Sequence, residues 1–153
     1  MMTAKDAISK NVARSYIDRV VVFLELEYKI PVVFERDGET ALFHDKRELT
    51  DGDFIIINNR VSLEKQLYML LHEAGHVLLR EDVHHHTEHF PAAVSKTKRL
   101  SRAHKIDILR EEVLAWEAGK DIARDFGIPI DNKLWHSMTC SALFKYVNWC
   151  IDA

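Results

Sequence analysis

The order of apolar and polar positions predicts a chain of helices interrupted by a few short strands. Over residues 3–27 apolar side chains recur every three or four positions, as they do in an amphipathic helix. The same spacing predicts a second helix that begins after Ser62, a suitable N-cap, and ends near Arg80. Two further helices are predicted over 104–126 and 131–151, with the Gly-Ile-Pro sequence of residues 127–129 between them.

Between the first two helices the pattern changes to short runs of β-branched and aromatic residues. The runs 32–36 and 39–43 flank Asp37-Gly38, a dipeptide typical of tight turns, and therefore predict a β-hairpin. A third strand is predicted over 53–58, which contains three consecutive isoleucines. With no internal repeat and no linker, these elements predict one α+β domain over residues 1–153 with a small three-stranded sheet.

Residues 81–103 lack any helical or strand period and predict a long, mobile loop. The first part of this loop holds four histidines, His84, His85, His86 and His89, and we expect them to be solvated, with only incidental affinity for metals. The second part is basic and is expected to be a solvated surface, because no aromatic residues are interleaved with the charges. Its basic residues, with one just beyond it, are Lys96, Lys98, Arg99, Arg102 and Lys105.

Composition narrows the class of protein. Of the 153 residues 47% are hydrophobic and 29% are charged, which suits a folded domain rather than a disordered chain. A net charge of −3 gives no reason to expect direct nucleic-acid binding. The longest apolar run, residues 20–24, is too short to span a membrane and no signal peptide is visible, so a cytoplasmic protein is expected. Cys140 and Cys150 are about 15 Å apart on one predicted helix, which indicates reduced core residues rather than a disulfide.

The most informative residues are His72-Glu73-Ala74-Gly75-His76, in the middle of the second predicted helix. Residues four apart lie one turn above each other on a helix, so both imidazoles can reach a single zinc ion. Glu73 lies beside them and is suited to act as a base toward water. Two histidines and a carboxylate are also costly to bury in a leucine-rich stretch without a cation, so the pattern predicts a metal site.

A third metal ligand has three candidate sources. Glu112 shares its helical face with apolar and small residues, where an unpaired carboxylate would be costly, and it is the preferred candidate. Glu111 projects toward a more mixed surface and is expected to be a solvated charge. Asp82 follows the motif helix, but Leu79 stands where a sharp turn back to the metal would need glycine.

These residues resemble the ImmA/IrrE-type zinc metallopeptidases, which belong to the gluzincin group. The resemblance covers residues 8–126: an N-terminal helix, a small sheet, a strand ending in Asn58, the motif helix, and a helix with the pattern Glu112-Val113-Leu114-Ala115. It implies a zincin-like fold, zinc as cofactor, His72, His76 and Glu112 as ligands, and Glu73 as catalytic base. The chain has Ala115-Trp116 where relatives often have Ala-Asn and an aromatic residue, a form similar to that of phage or prophage members.

The resemblance also implies a reaction and a partner. A metallopeptidase of this kind would hydrolyse a peptide bond in a specific protein, such as a transcriptional repressor, and the strand over 53–58 would pair with the extended substrate. A donor to the developing oxyanion is also expected, and His104, His136 and Tyr146 remain open as candidates. The alternatives are a non-catalytic, zinc-stabilised interaction module and a metal-free helical partner protein.

Overall fold

Six helices and three short strands form the parts of the chain that the computed structural model describes, which are residues 9–36, 39–43, 52–95 and 101–152. The side chains of 41–43 lie outside that description. In chain order the elements are α1 (Lys10–Tyr28), β1 (Val32–Glu35), β2 (Ala41–Phe43), β3 (Phe54–Asn58), α2 (Leu63–Arg80), α3 (Val83–His89), α4 (Pro91–Val94), α5 (Arg102–Asp125) and α6 (Asn132–Ile151). The predicted α+β class is confirmed, and the fold is mostly helical.

Two of the long helices, α2 and α6, begin where the sequence predicts. Ser62 caps α2 by accepting a hydrogen bond from the Lys65 backbone N–H, and Asp131 caps α6 by accepting bonds from the first turn of that helix. After α5 the backbone turns at Gly127, whose φ of 66° lies in the left-handed region that glycine adopts without steric cost. The first helix begins at Lys10, later than the predicted start at residue 3, because Ser9 caps it by accepting a hydrogen bond from the Val12 backbone N–H. Residues 3–8 lie outside the described part of the chain.

The predicted β-hairpin is wrong. Strand order in the sheet is β1-β3-β2, so β3 lies between the two runs that the hairpin would have joined. β1 runs parallel to β3 and β2 runs antiparallel to it. The reason lies in β3, whose Ile55 and Ile57 are fully buried against the helices and occupy the centre of the sheet. The Asp37-Gly38 turn itself lies outside the described residues.

The predicted long loop is also wrong over much of its length. Residues 83–89 and 91–94 form α3 and α4, and the side chains of His86 and Phe90 are buried. Asp82 caps α3 by accepting a hydrogen bond from the His85 backbone N–H, which accounts for a helix in a histidine-rich segment. Of the basic residues in and beside this segment, those at 96, 98 and 99 lie outside the described part of the chain.

The core lies where α2 packs against α5, with α1 and the sheet on one side and α6 on another. α2 is buried around nearly its whole circumference, so its polar side chains in the centre lie in the interior. Cys140 and Cys150 are free thiols as predicted, but Cys140 is exposed and Cys150 is only half-buried, so the prediction that they are core residues is wrong. No helix among the described residues has the length and apolar character that a membrane span needs.

Candidate metal centre

His72 and His76 lie one turn apart in the buried middle of α2, as the four-residue spacing predicts. Their ring centroids are 4.7 Å apart and each side chain is almost fully buried. Glu73 lies beside them, and potential ligand atoms of the three residues all fall within 4.8 Å of one another. The three residues thus form a cluster of the size that one metal ion requires.

Glu112 reaches this cluster from α5. One of its carboxylate oxygens lies 3.2 Å from Nε2 of His72, and the other lies 3.0 Å from Nε2 of His76. The Glu112 carboxylate therefore faces the Nε2 atoms of both histidines. Asp82, the weaker candidate from sequence, is exposed and caps α3 instead.

Two glycines allow α2 and α5 to approach closely enough for this arrangement. A Cβ on Gly119 of α5 would lie 2.5 Å from the Leu71 carbonyl oxygen of α2. A Cβ on Gly75, between the two histidines, would overlap the Ala115 carbonyl oxygen of α5. Glycine is thus required on both helices. Both contacts lie beside the cluster, since Leu71 precedes His72 and Gly75 precedes His76.

Trp116 covers one face of the cluster. Its ring stacks on His72 at a centroid distance of 4.3 Å and an interplanar angle of 22°. On its other side Trp116 makes an edge contact with Trp135 of α6. The Ala115-Trp116 pair, which departs from the common family pattern, thus supplies both the close helix contact and the support for His72.

The electrostatics of the cluster favour a positive charge between the side chains. Burial by itself lowers the pKa of His76, but contacts with Glu111 and Glu112 outweigh it and raise that pKa to about 9. For Glu112, burial raises the pKa, and the facing imidazoles His72 and His76 more than offset this, so its pKa falls well below the usual range.

A divalent cation fits this donor set. Imidazole nitrogens and carboxylate oxygens are both donors that zinc accepts, and a set of two histidines and one glutamate leaves a fourth coordination position open for a small ligand. Three carboxylates are buried here, that of Glu73 on α2 and those of Glu111 and Glu112 on α5. Among the described residues, Arg80 contributes a buried guanidinium, which pairs with Glu111. A cation bound between His72, His76 and Glu112 would replace the proton of His76 and balance the carboxylates.

The prediction that Glu111 is a solvated charge is wrong. Its side chain is 1% exposed and forms a two-point ion pair with Arg80, at 2.8 and 3.1 Å. It also contacts Nε2 of His86 at 2.7 Å. Projection of α5 alone suggested a mixed surface because it could not include α3, which covers that side of the helix.

Of the three candidate donors, Tyr146 lies at the cluster. Burial and the nearby negative charge of Glu112 raise the pKa of Tyr146 far above its usual value. The ring packs against Phe90, Ala93 and Ile108, one turn before Glu112 on α5. His104 instead contacts the Ala92 carbonyl oxygen, and His136 is exposed on α6 beside Cys140.

The other histidines divide into two groups. His84, His85 and His89 are exposed, as expected for solvated side chains, whereas His86 is 1% exposed and belongs to the Glu111 network. The expectation that all four are solvated is therefore wrong for His86. Lys105, expected on the same basic surface, donates hydrogen bonds to the backbone carbonyls of Trp149 and Asp152 at the end of α6.

The model of the IrrE N-terminal-like domain, Peptidase_M78, matches residues 26–119, from the end of α1 to the glycine contact on α5. The match covers more than half of the chain. The chain belongs to the Peptidase_M78 family. Membership in M78 indicates a peptidase, and its members are typically metal-dependent, in agreement with the His72-Glu73-His76 group.

No curated protein and no solved structure gave a significant match. α6, which brings Tyr146 to the M78 cluster, lies outside the matched range.

Proposed function

We propose that the protein is a zinc metallopeptidase with a zincin-like fold, which hydrolyses a peptide bond in a specific protein. The observation that carries the proposal is the Glu112 carboxylate, whose two oxygens face Nε2 of His72 and Nε2 of His76. Two histidines on one helix and a glutamate from another form a three-ligand set with an open position, as in catalytic zinc sites. A structural zinc site would instead have four protein ligands.

The residues have separate roles in the proposed reaction. His72, His76 and Glu112 would hold the zinc ion, which would supply a Lewis acid able to polarise the peptide carbonyl and to lower the pKa of water. Glu73 accepts the proton of the attacking water and donates it to the leaving amine. Both steps need a carboxylate that faces the cluster but does not bind the metal. We assign this role to Glu73, which has a carboxylate oxygen 3.9 Å from Nε2 of His72.

The substrate would bind along a different strand from the one expected. β3 is the central strand, so Ile55 and Ile56 are paired with neighbours on both sides and offer no free edge to a substrate. The edges of the sheet are β1 and β2, and an extended peptide would add to one of them. We propose a cytoplasmic protein, similar to phage-encoded members, with a repressor as its substrate; these parts rest on the family resemblance.

Zinc is expected to restore peptide cleavage to protein that a chelator has inactivated. The measurement is cleavage of an unstructured peptide library, read by mass spectrometry, before and after one equivalent of zinc is added. Glu112→Gln should show no restored cleavage at the same zinc concentration, because its amide is a poorer ligand than a carboxylate. Stoichiometric zinc binding without any cleavage of peptides or proteins would instead indicate a non-catalytic zinc-stabilised module.

Tyr146→Phe is expected to lower the cleavage rate about 10²-fold or more while zinc affinity stays within a few-fold of the wild type. The reason is that a hydroxyl beside the cluster can donate a hydrogen bond to the developing oxyanion, and loss of one such donor has an effect of this size. Steady-state rates and a zinc competition titration on the same preparations would check both values. Phe144→Leu, on the exposed side of the same helix, is the matched control. An unchanged rate in Tyr146→Phe would exclude the hydroxyl from the reaction.

A further inference from the structure

A second carboxylate, that of Glu111, lies behind the cluster and is held by two residues through three polar contacts. Glu111 accepts two hydrogen bonds from Arg80, from Nε at 2.8 Å and from a terminal nitrogen at 3.1 Å. Nε2 of His86 contacts the Oε1 atom of Glu111 at 2.7 Å. The three side chains are each at most 5% exposed and come from α2, α3 and α5. So many partners leave the Glu111 carboxylate little freedom to move.

The same oxygen faces the far side of the His76 ring. Nε2 of His76 lies 3.0 Å from Glu112, while Nδ1 of the ring lies 3.9 Å from Oε1 of Glu111. Nδ1 of His76 is buried and has no hydrogen-bond partner among the described residues, so Glu111 is the acceptor that it faces. A distance of 3.9 Å is longer than a hydrogen bond, and a small rotation of the ring toward Glu111 would close it.

We propose that Glu111 is a positioning residue, which accepts the Nδ1 proton of His76 and thereby turns the Nε2 lone pair toward the metal. This inference rests on the proposed function, since it requires His76 to be a metal ligand. Metal-binding histidines commonly donate their second ring N–H to a carboxylate, which fixes the tautomer and the ring orientation. Arg80 and His86 hold Glu111 in the acceptor position and keep it from competing with Glu112 as a ligand.

The network also explains why α3 packs beside the metal cluster. His86 is the one histidine of α3 that is buried, and it contacts α5 through Glu111 rather than through a ligand. Arg80 lies one turn after His76 on α2 and approaches the same carboxylate. The α3 segment, absent from the metal-binding motif itself, thus contributes to the orientation of His76.

The test is the zinc affinity of Glu111→Gln, measured by competition with a chromophoric chelator. The amide keeps the shape of the side chain but loses its charge, and we expect zinc to bind 10- to 100-fold more weakly, as when other supporting residues of this kind are changed. In the zinc-loaded protein, the Nδ1 proton of His76 should also exchange faster with water, as seen by NMR. Glu111→Asp, which retracts the carboxylate by one methylene, should weaken zinc binding as well and serves if Glu111→Gln does not fold.

The control is Leu24→Ala, which removes a buried side chain of α1 and lowers stability without changing the network. Normal zinc affinity in this control, together with weak binding in the Glu111 variants, would support the positioning role. Two results would overturn the positioning role: a wild-type zinc affinity in both Glu111 variants, or a loss of zinc affinity in Leu24→Ala as large as that in the Glu111 variants. If wild-type protein itself failed to bind zinc, the proposed function would fail, which is a different result from failure of this inference.

Discussion

Glu73→Gln is expected to lower peptide cleavage by about 10²- to 10⁴-fold, the range over which a general acid or base contributes to catalysis. Glutamine has nearly the same shape as glutamate but cannot accept the proton of the attacking water. Because we propose Glu73 as the base and not as a ligand, zinc content should stay close to that of the wild type. Cleavage rate and zinc content should be measured on the same samples.

The control for this variant is Glu25→Gln, which makes the same chemical change on the exposed side of α1. It should cleave at the wild-type rate. Two results would argue against Glu73 as the base: a Glu73→Gln rate within about threefold of the wild type, or a loss of zinc that is as large as the loss of activity.

Gly119→Ala is expected to destabilise the fold and to weaken zinc binding at the same time. The new methyl group would lie 2.5 Å from the Leu71 carbonyl oxygen, and backbone atoms cannot move aside as a flexible side chain would. Overpacking of this kind costs about 3 kcal/mol, or on the order of 10 °C in Tm for a domain of this size. Since the clash pushes α5 away from α2, Glu112 moves away from His72 and His76.

The comparison for Gly119→Ala is Gly52→Ala, because a Cβ at Gly52 meets nothing within 4 Å. Thermal unfolding and zinc titration of both variants would check the prediction. Helix propensity alone favours alanine over glycine by about 1 kcal/mol, so a stabilised Gly119→Ala with normal zinc affinity would show that the close contact is not needed.

The sequence could predict which helix face carries His72, His76 and Glu112, because the face of a residue follows from the period of its own helix. The four-residue spacing places His72 and His76 on one face of α2, and the apolar neighbours of Glu112 place it on the buried face of α5. The close contacts at Gly75 and Gly119 were not predicted, although a glycine inside a predicted helix often marks such a contact.

What the sequence could not predict depends on contacts between elements. A turn dipeptide reports a local preference, so Asp37-Gly38 could not show that β3 would lie between the flanking strands. The burial of Glu111 depends on Arg80 and on His86 of α3, a helix that has no amphipathic period long enough to detect. Tyr146 has ordinary helical spacing on α6, and only the packing of that helix against α5 brings it to Glu112.

The central claim is that His72, His76 and Glu112 together bind one zinc ion, and zinc per chain tests it most directly. Elemental analysis should be made on wild-type protein, His76→Ala and Glu112→Ala, each prepared without chelator and supplied with zinc. The account predicts about one zinc per wild-type chain and a marked loss in both variants, because each removes one of three ligands. Little zinc in the wild type, or an equal zinc content in all three proteins, would contradict it.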